Sequence, residues 1–466
     1  MKIRLIENGI CKEIRLHNVI KEIEKTLKEL NNLPYEFRKN NTIIITFCDD
    51  LIHNYVLTKI IFKKGFIHLP LSLSSRRDLD NYINEVKPIA VVNYSLNNDF
   101  WIRYYDDFNI IKSDNNKPYL CSSTSGTTGK SKVIIFGEDT KKLRANHMIE
   151  TFRINNMDTI LCSSPYTHSL GQRLIHVAMN AKANIVYMNK FKKKDFVNAF
   201  IFKNVSFAIP VTTHLEICID ELYRTKDHRI IISSSGSLSK NTRSQFIRKF
   251  GAIAYEMYGL SELGTCTLTS LANQKDKSYM GECVKGCNLE IIENNKEKIF
   301  YHSKKHKIGK IAAMTNWAFL GYVIDKKFIN ITKLLENNLL VTDDFGFLDN
   351  NVLHFISREN DNVKVSGYKV STKDIQERLS KFDPELKIIV TSVDFEKIGN
   401  AICCAIFDNH DHKIRSNLRE FAIANLESYM RPLIYKDYSS IPLLENGKTD
   451  IQTIKSDFSA LLKNRD

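Results

Sequence analysis

Apolar and polar positions near the start of the chain alternate in the order expected of repeating strand–helix units. The run at 41–50, NTIIITFCDD, predicts a buried strand, and apolar residues then recur at helical spacing as far as Gly65. A second strand at 66–71, a helix at 76–86 and a third strand at 88–94 follow. Strands that alternate with helices in this way predict a parallel sheet with crossover connections.

The same alternation returns at 159–250, whereas 280–357 carries short alternating runs that are typical of antiparallel strands and turns. After Arg358 the pattern is again a mixture of strand and helix, and 466 residues are too many for one compact unit. The predicted fold class is therefore α/β. A large N-terminal domain (1–359) of parallel α/β sheets with a small antiparallel β subdomain precedes a small mobile α+β C-terminal domain (360–466).

Composition narrows the class of protein. A hydrophobic content of 43% is ordinary for a globular chain, and no apolar run reaches the ~18 residues of a membrane helix. The N-terminus lacks the apolar core of a secretory leader, and ten scattered cysteines favour a reducing compartment, so we expect a cytoplasmic protein without a membrane partner.

The net charge of +14 suits a nucleic acid, an anionic cofactor or an acidic carrier protein. Because no arginine-rich stripe with interleaved aromatic residues is present, we expect no nucleic-acid partner.

A hydroxyl-rich loop at 122–132, SSTSGTTGKSK, separates two apolar runs. Gly126 and Gly129 allow backbone N–H groups to point inward, and the hydroxyls with Lys130 and Lys132 add donors and charge. This combination predicts a polyphosphate site. The phosphate loop of nucleoside triphosphatases does not match, because its first glycine would fall on residue 124, which is threonine.

Five segments of the chain match the ordered motifs of one family. They are TSGTTGKSK (124–132), YEMYGLSELG (255–264), LLVTDDFGFLDNN (339–351), SRENDNVKVSGYKVST (357–372) and PLLENGKTD (442–450). Together they resemble the adenylate-forming superfamily, which comprises acyl- and aryl-CoA ligases, adenylation domains and luciferases. The resemblance covers roughly residues 40–460 and is closest in character to acyl- or aryl-CoA ligases.

The resemblance implies an ATP- and Mg²⁺-dependent acid–thiol ligase. A small carboxylic acid would attack the α-phosphate of ATP and expel pyrophosphate, and a thiol would then attack the acyl adenylate and release AMP. The thiol acceptor would be CoA or a phosphopantetheinyl carrier protein, and an acidic acyl-carrier protein would suit the positive net charge of the chain.

The resemblance also assigns residues around the phosphates. Lys448 matches the catalytic lysine that bridges the carboxylate and the α-phosphate, and Glu262 matches the catalytic, Mg²⁺-binding glutamate. Ser261 replaces the usual threonine and keeps its hydroxyl. The phosphate-loop positions are Thr124, Ser125, Gly126, Thr127, Thr128, Gly129 and Lys132.

Further positions match the family's contacts with the nucleoside. Tyr258 is expected against the adenine, Glu256 near its amino group, and Asp344 on the two ribose hydroxyls, for which a carboxylate supplies two acceptor oxygens. The remaining nucleoside positions are Ser235, Gly236 and Ser237 below the adenine, Gly259 in the tyrosine motif, and Arg358 near the ribose and phosphate.

The segment 163–174, SSPYTHSLGQRL, resembles the part that positions the acid, with His168 as its catalytic candidate. α-Amino-acid adenylating domains place an aspartate there, so its absence argues against an α-amino acid; a histidine satisfied within its loop is the alternative interpretation. The resemblance places the hinge of the rotating C-terminal domain at Asn360, and Gly367 along the tunnel for the thiol.

Two other functions stay open: a stand-alone amino-acid adenylating enzyme that loads a carrier domain, and a non-catalytic homologue that binds nucleotide or acyl ligand. Zinc is a weak alternative, because Cys283, Cys287, His302 and His306 have finger-like spacing but lie around a predicted β-hairpin.

Four positions depart from the family pattern. Asp343 replaces a glycine and would need an unfavourable backbone angle unless the local turn differs. The other three are Ser131, Val133 and Ser357.

Overall fold

The structure is a computed structural model that describes most of the chain. It describes residues 1–28, 41–94, 100–111, 117–124, 132–272, 278–292, 306–395, 399–407, 413–444 and 447–463.

The strands are numbered in chain order. They are β1 Ile3–Glu7, β2 Ile10–Glu13, β3 Ile43–Phe47, β4 Ile67–Leu71, β5 Ala90–Tyr94, β6 Phe100–Tyr104, β7 Pro118–Thr124, β8 Lys132–Gly137, β9 Thr159–Cys162, β10 Asn184–Tyr187, β11 Phe207–Ala208, β12 Ile230–Ser233, β13 Ala254–Leu260, β14 Gly264–Ser270, β15 Tyr279–Cys283, β16 Cys287–Ile292, β17 Gly309–Thr315, β18 Gly321–Ile324, β19 Lys327–Asn330, β20 Leu335–Glu336, β21 Leu339–Asp349, β22 Val352–Arg358, β23 Asn362–Val365, β24 Tyr368–Ser371, β25 Lys387–Phe395, β26 Gly399–Phe407 and β27 Ile434–Tyr438.

The α-helices are numbered in the same way. They are α1 Leu16–Thr26, α2 Leu51–Lys63, α3 Leu79–Val86, α4 Glu138–Phe152, α5 Ser169–Ala181, α6 Lys193–Phe202, α7 Thr212–Cys218, α8 Lys240–Phe250, α9 Thr372–Leu379, α10 Ile414–Asn425 and α11 Ile451–Lys463.

The strand–helix units predicted near the start of the chain are present. In β3 all five side chains are buried, as expected for a strand covered on both faces. The helix that follows begins where the Asp50 carboxylate accepts hydrogen bonds from the backbone N–H groups of Ile52 and His53. β3 then pairs in parallel with β4 and with β5.

Two large sheets carry the part of the chain before residue 359. One runs β19-β18-β8-β7-β4-β3-β5-β6, and the other runs β16-β17-β21-β22-β15-β14-β13-β12-β11-β9-β10-β1-β2 with β20 beside β21. The second sheet is parallel from β1 through β10, β9, β11 and β12 to β13, and antiparallel beyond. β13, which carries the tyrosine motif, lies where the pairing changes.

The antiparallel strands predicted for 280–357 are present and do not form a sheet of their own. β15, β16, β17, β21 and β22 continue the parallel sheet, whereas β18 crosses to pair with β8. This crossing brings the strand after the phosphate loop beside Gly321 and Tyr322.

Beyond Arg358 the strands form separate small sheets, β23-β24 and β25-β26-β27, packed with α9, α10 and α11. Hydrogen bonds between this part and the rest include Lys373 Nζ to Ser237 Oγ at 3.3 Å and Asn241 Nδ2 to Glu385 at 3.0 Å. The boundary at 359/360 and the mobility of 360–466 stay predictions.

Candidate active site

Glu262 lies in the turn between β13 and β14, opposite the strand that leaves the phosphate loop. The Tyr322 hydroxyl donates to Glu262 Oε1 at 2.7 Å, and Lys132 Nζ lies 5.7 Å from the centre of the Tyr322 ring. Burial and the negative charge of Glu262 raise the pKa of the Tyr322 hydroxyl. Tyr322 therefore stays protonated and fixes one oxygen of Glu262, which leaves the other for a cation.

A buried arginine holds the Glu262 turn in place. Arg144 donates from Nε to the Trp317 carbonyl at 2.9 Å, from one terminal nitrogen to the Ser261 carbonyl at 2.9 Å, and from the other to the Glu262 carbonyl at 2.6 Å. Burial and the charge of Arg173 together lower the pKa of Arg144 to about 9. Arg144 is therefore still charged at neutral pH and uses its planar fork on backbone oxygens.

Lys448 approaches the same charges from the C-terminal part of the chain. Although Lys448 keeps solvent-accessible surface, the protein around its ammonium group lowers its pKa, and the positive charge of Arg358 acts in the same direction. The negative charge of Glu262 opposes this shift. Such interactions fade over about 10 Å, so the catalytic lysine, the metal-binding glutamate and the ribose-side arginine predicted from the sequence lie in one neighbourhood.

Asp344 is the buried centre of the predicted ribose site and is 2% exposed. Arg358 Nε donates to Asp344 Oδ1 at 2.9 Å, and the Tyr258 hydroxyl donates to Oδ2 at 2.9 Å. Burial and the charge of Asp344 raise the pKa of Tyr258 well above its usual value, so its hydroxyl stays a donor. Each carboxylate oxygen retains a second lone pair for a ribose hydroxyl.

Glu256 lies two residues before Tyr258 on β13 and is 1% exposed. Arg243 donates to Glu256 Oε2 at 2.8 Å, whereas within the described residues Oε1 has no hydrogen-bond partner. Burial raises the pKa of Glu256 to about 7, against the opposing charges of Arg243 and Lys373. This acceptor suits the exocyclic amino group of adenine that the family resemblance assigns to Glu256.

The turn predicted below the adenine is exposed at Ser235, Gly236 and Ser237. Ser235 has a left-handed φ of 71°, and the Gly236 carbonyl accepts a hydrogen bond of 2.9 Å from Thr212 Oγ1. Ser237 accepts a hydrogen bond from Lys373, and this contact joins the turn to the C-terminal part of the chain.

His168 is the residue before α5, and it is half-buried. Ser122 Oγ donates to the Thr167 carbonyl at 3.0 Å, so the acid-positioning segment directly contacts the strand that enters the phosphate loop. The predicted acid and phosphate sites are therefore neighbours at the end of β7.

The predicted glycines have different surroundings, and part of the phosphate loop lies outside the described residues. Gly259 faces the backbone of Gly264, where a Cβ would overlap the carbonyl oxygen. Gly367 lies in the turn between β23 and β24 with φ of 85° and open space around it. Ser125, Gly126, Thr127, Thr128 and Gly129 lie outside the described residues, as does the side chain of Thr124.

The strain expected at Asp343 is absent. The residue lies inside β21 without a left-handed φ, and it is exposed, with its negative charge acting on Tyr322. Its neighbour Asp344 pairs with Arg358 across β21 and β22, so Asp343 lies in a paired strand, where the glycine of the family pattern is not needed.

Sequence reasoning missed three residues that organise the site: Arg144, Tyr322 and His214. Tyr322 ends the segment TNWAFLGY (315–322), which looks like the family segment that ends in Gly-Tyr before the aspartate motif and is therefore a usable signal. Arg144 and His214 lie outside the matched motifs, and only the fold brings them to the site.

Within the described ranges, no three histidine, cysteine, aspartate or glutamate side chains form a group that could hold a metal ion. Glu262 stays the predicted ligand of Mg²⁺, and oxygen atoms of phosphate and water are the other ligands that this cation prefers. None of the helices in the described part of the chain has the length and apolar character needed to cross a bilayer.

Curated relatives cover about three quarters of the chain. A D-alanine–D-alanyl carrier protein ligase of Listeria monocytogenes serotype 4b (strain CLIP80459) is 21% identical over 371 residues, which are 74% of this chain and 71% of the relative. The protein of the same name from Bacillus cereus (strain AH187) is 21% identical over 370 residues, 75% of this chain and 72% of the relative.

Solved structures match nearly the whole chain. ATP-bound MatB from Rhodopseudomonas palustris has a TM-score of 0.78 at 17% identity and covers 99% of this chain and 96% of its own. The o-succinylbenzoate CoA synthetase (MenE) from Bacillus subtilis, solved with an acyl-adenylate intermediate, has a TM-score of 0.73 at 17% identity and covers 97% and 94%. The predicted α/β fold class is thereby confirmed.

The family model for AMP-binding enzymes matches residues 77–323, from α3 through the Glu262 turn to Tyr322. The match takes in the phosphate loop, the acid-positioning segment and the tyrosine motif, and it extends over more than half of the chain. The protein therefore belongs to the family of AMP-binding enzymes.

Proposed function

We propose that the protein is an ATP-dependent carboxylic-acid ligase that forms an acyl or aryl adenylate and passes the acyl group to a pantetheine thiol. Support comes from its membership of the AMP-binding family and from relatives that are named as ligases of a carrier protein. The acceptor is CoA or an acyl-carrier protein, and the positive net charge of the chain suits both of these acidic partners.

One observation carries the proposal: the turn that bears Lys448 packs on His214 of the N-terminal part, and the charges of Arg358 and Glu262 both act on Lys448 although the three residues come from different parts of the chain. A surface lysine in an unrelated turn would not have its pKa lowered by the arginine that pairs with Asp344. The arrangement supplies cations where a carboxylate and a triphosphate, both anionic, have to meet.

In the first half-reaction the residues position and neutralise the reactants. Lys448 bridges the attacking carboxylate and the α-phosphate, His168 lies beside the acid, and Asp344 with Tyr258 holds the nucleoside. Mg²⁺, held by Glu262, supplies charge neutralisation at the phosphates when it is bound. Most of the rate acceleration then comes from orientation and electrostatics.

In the second half-reaction the thiol attacks the carbonyl carbon of the acyl adenylate, and the bond to AMP breaks. The C-terminal part of the chain turns about Asn360, which removes Lys448 from the site and brings Gly367 towards the pantetheine arm. A glycine at this position leaves room for the arm to pass the backbone.

A second candidate is the loading of an amino acid on a carrier protein. The names of the Listeria and Bacillus relatives favour it, since those proteins are ligases for D-alanine. The absence of an aspartate in the 163–174 segment favours an acid without an ammonium group.

The ten cysteines are free in the structure, and most are buried. Such thiols persist in a reducing compartment, so we propose that the protein works in the cytoplasm.

ATP–pyrophosphate exchange across a panel of acids tests the proposal. The panel contains aliphatic acids, aryl acids, and D- and L-alanine, and the active acid is then supplied with CoA or with holo carrier proteins. Exchange with a simple acid supports the first function, and exchange with alanine alone supports the second. Nucleotide binding without exchange for any acid would support a non-catalytic homologue instead.

A further inference from the structure

His214 is a fully buried histidine on α7 whose ring cannot turn freely. Its ring stacks on Phe191 at 3.9 Å with an interplanar angle of 5°, and its Nδ1 lies 3.1 Å from Ser163 Oγ. Burial lowers the pKa of His214 to about 3, so the ring is neutral at physiological pH. The hydrogen bond places His214 against the first residue of the acid-positioning segment.

The other nitrogen of the ring faces the turn that carries the catalytic lysine. A Cβ added to Gly447 would overlap His214 Nε2, and within the described residues Nε2 has no hydrogen-bond partner. Gly447 also has a left-handed φ of 76°. The backbone of the turn therefore rests directly on the imidazole, and a glycine is required for both steric reasons.

The turn itself is closed by its own hydrogen bonds. The backbone N–H of Leu444 donates to the Lys448 carbonyl at 2.8 Å, and that of Gly447 donates to the Leu444 carbonyl at 2.9 Å. Because the turn is braced in this way, the surface on which Gly447 rests fixes how deeply Lys448 enters the site. At this depth the charges of Glu262 and Arg358 act on Lys448.

We propose that His214 is a positioning residue for adenylation, and that its ring is the seat on which the Gly447–Lys448 turn rests. Through Ser163 the seat is continuous with the segment that holds the acid, so the acid site and the lysine are positioned by one side chain. The inference rests on the proposed function, because it concerns the first half-reaction of that ligase.

The Gly447→Ala variant tests the seat, with Gly399→Ala as its matched control. Gly399 also has a left-handed φ, of 81°, but an added Cβ there would meet its nearest atom at an ordinary 3.5 Å. We expect Gly447→Ala to lower kcat for pyrophosphate exchange about 100-fold, the usual cost of a catalytic group displaced by about 1 Å. Gly399→Ala should stay within about threefold of wild type, since it adds the same backbone strain without the overlap.

A second substitution distinguishes the overlap between His214 and the added Cβ from a general loss of folding. Removing the imidazole in the double variant His214→Ala/Gly447→Ala makes room for the Cβ, and we expect exchange at least about tenfold faster than in Gly447→Ala alone. Transfer of a synthetic acyl adenylate to the thiol should change less than about threefold in Gly447→Ala, since it does not use Lys448. Equal losses of both half-reactions in Gly447→Ala would overturn the proposal. It would also be overturned if the double variant unfolds at the same temperature as His214→Ala and yet exchanges no faster than Gly447→Ala.

Hydrogen exchange gives a readout that needs no turnover. In wild type the amides of the peptide 442–450 should exchange slowly, and in His214→Ala they should exchange at least about tenfold faster while the peptide 387–395 is unchanged. Equal exchange in the two proteins would contradict the seat even if pyrophosphate exchange failed with every acid. Failure of every acid with normal protection of 442–450 would count against the ligase function and leave the seat supported.

Discussion

Asp344 and Arg358 face each other on neighbouring strands and form an ion pair of 2.9 Å at the bottom of the predicted ribose site. Tyr258 binds the second oxygen of the same carboxylate. The pair orients both oxygens of Asp344 before a nucleotide arrives, so the ribose hydroxyls would meet a preorganised acceptor. Arg358 keeps most of its side chain exposed, which leaves guanidinium donors for phosphate.

Asp344→Asn should weaken binding of ATP more than it slows the chemical step. The amide retains one acceptor oxygen and loses the charge that pairs with Arg358, so we expect KM for ATP to rise roughly tenfold to 100-fold. Steady-state exchange at varied ATP measures this change. Asp349→Asn, at the far end of the same strand, is the control and should leave KM unaltered. A fall in kcat with KM unchanged would contradict the ribose assignment.

Lys448→Ala should remove adenylation and spare nucleotide binding. The variant loses the cation between two anions, which predicts a decrease in the exchange rate of about 100-fold to 1,000-fold. Calorimetry with ATP should give a Kd within about threefold of wild type, since the binding contacts lie on other residues. Lys463→Ala, an exposed lysine at the end of α11, is the control. Exchange near the wild-type rate would remove Lys448 from the mechanism.

The motifs on β13 and β21 predicted residues that the fold brings together, because each of these motifs lies on a strand of one sheet. Asp344, Tyr258 and Glu256 were predicted separately, and the structure brings Asp344 and Tyr258 into direct contact. The parallel strands at 41–94 and 159–250 were also predictable, since buried parallel strands are continuous apolar runs.

The supporting residues could not be predicted in the same way. Arg144 binds backbone carbonyls, which every residue has, so no sequence pattern marks its partners. His214 touches a glycine more than two hundred positions away, and only the packing of the C-terminal part creates that contact. The pairing of β18 with β8 likewise depends on a long-range crossing that local periodicity does not encode.

Arg144→Lys should disturb the Glu262 turn without removing the positive charge. Lysine cannot reproduce the planar fork that binds three backbone carbonyls, so Glu262 should lose its fixed position. We expect the Mg²⁺ concentration for half-maximal exchange to rise at least about tenfold, as for other losses of support behind a metal ligand. Arg153→Lys, exposed at the end of the same helix, should leave the Mg²⁺ requirement unchanged. An unchanged requirement in Arg144→Lys would contradict this supporting role.

Glu256 should make stability fall as the pH rises from acid to neutral. Its pKa is about 7 in the folded protein and near 4.5 in the unfolded chain, so between these values the folded state binds more protons and unfolding is favoured as pH increases. The loss is on the order of 3 kcal/mol for the full shift. Urea unfolding of wild type and Glu256→Gln at pH 4.5 and 7.5 measures how much the free energy of unfolding changes with pH in each protein. Glu290→Gln, on an exposed site of β16, is the control. An equal change in the free energy of unfolding with pH in wild type and Glu256→Gln would refute the raised pKa of Glu256.

Gly367→Leu should separate the two half-reactions. Pyrophosphate exchange should stay within about threefold of wild type, because an added Cβ at Gly367 would meet no atom within 4 Å. Thioester formation should fall at least about 100-fold, since a leucine would obstruct the pantetheine arm after the C-terminal part turns. Gly9→Leu provides the control for backbone strain: Gly9 has φ of 79°, follows a residue of positive φ, and likewise has open space around it. If Gly367→Leu and Gly9→Leu slow thioester formation alike, or if Gly367→Leu slows both half-reactions equally, the C-terminal part does not present Gly367 to the thiol.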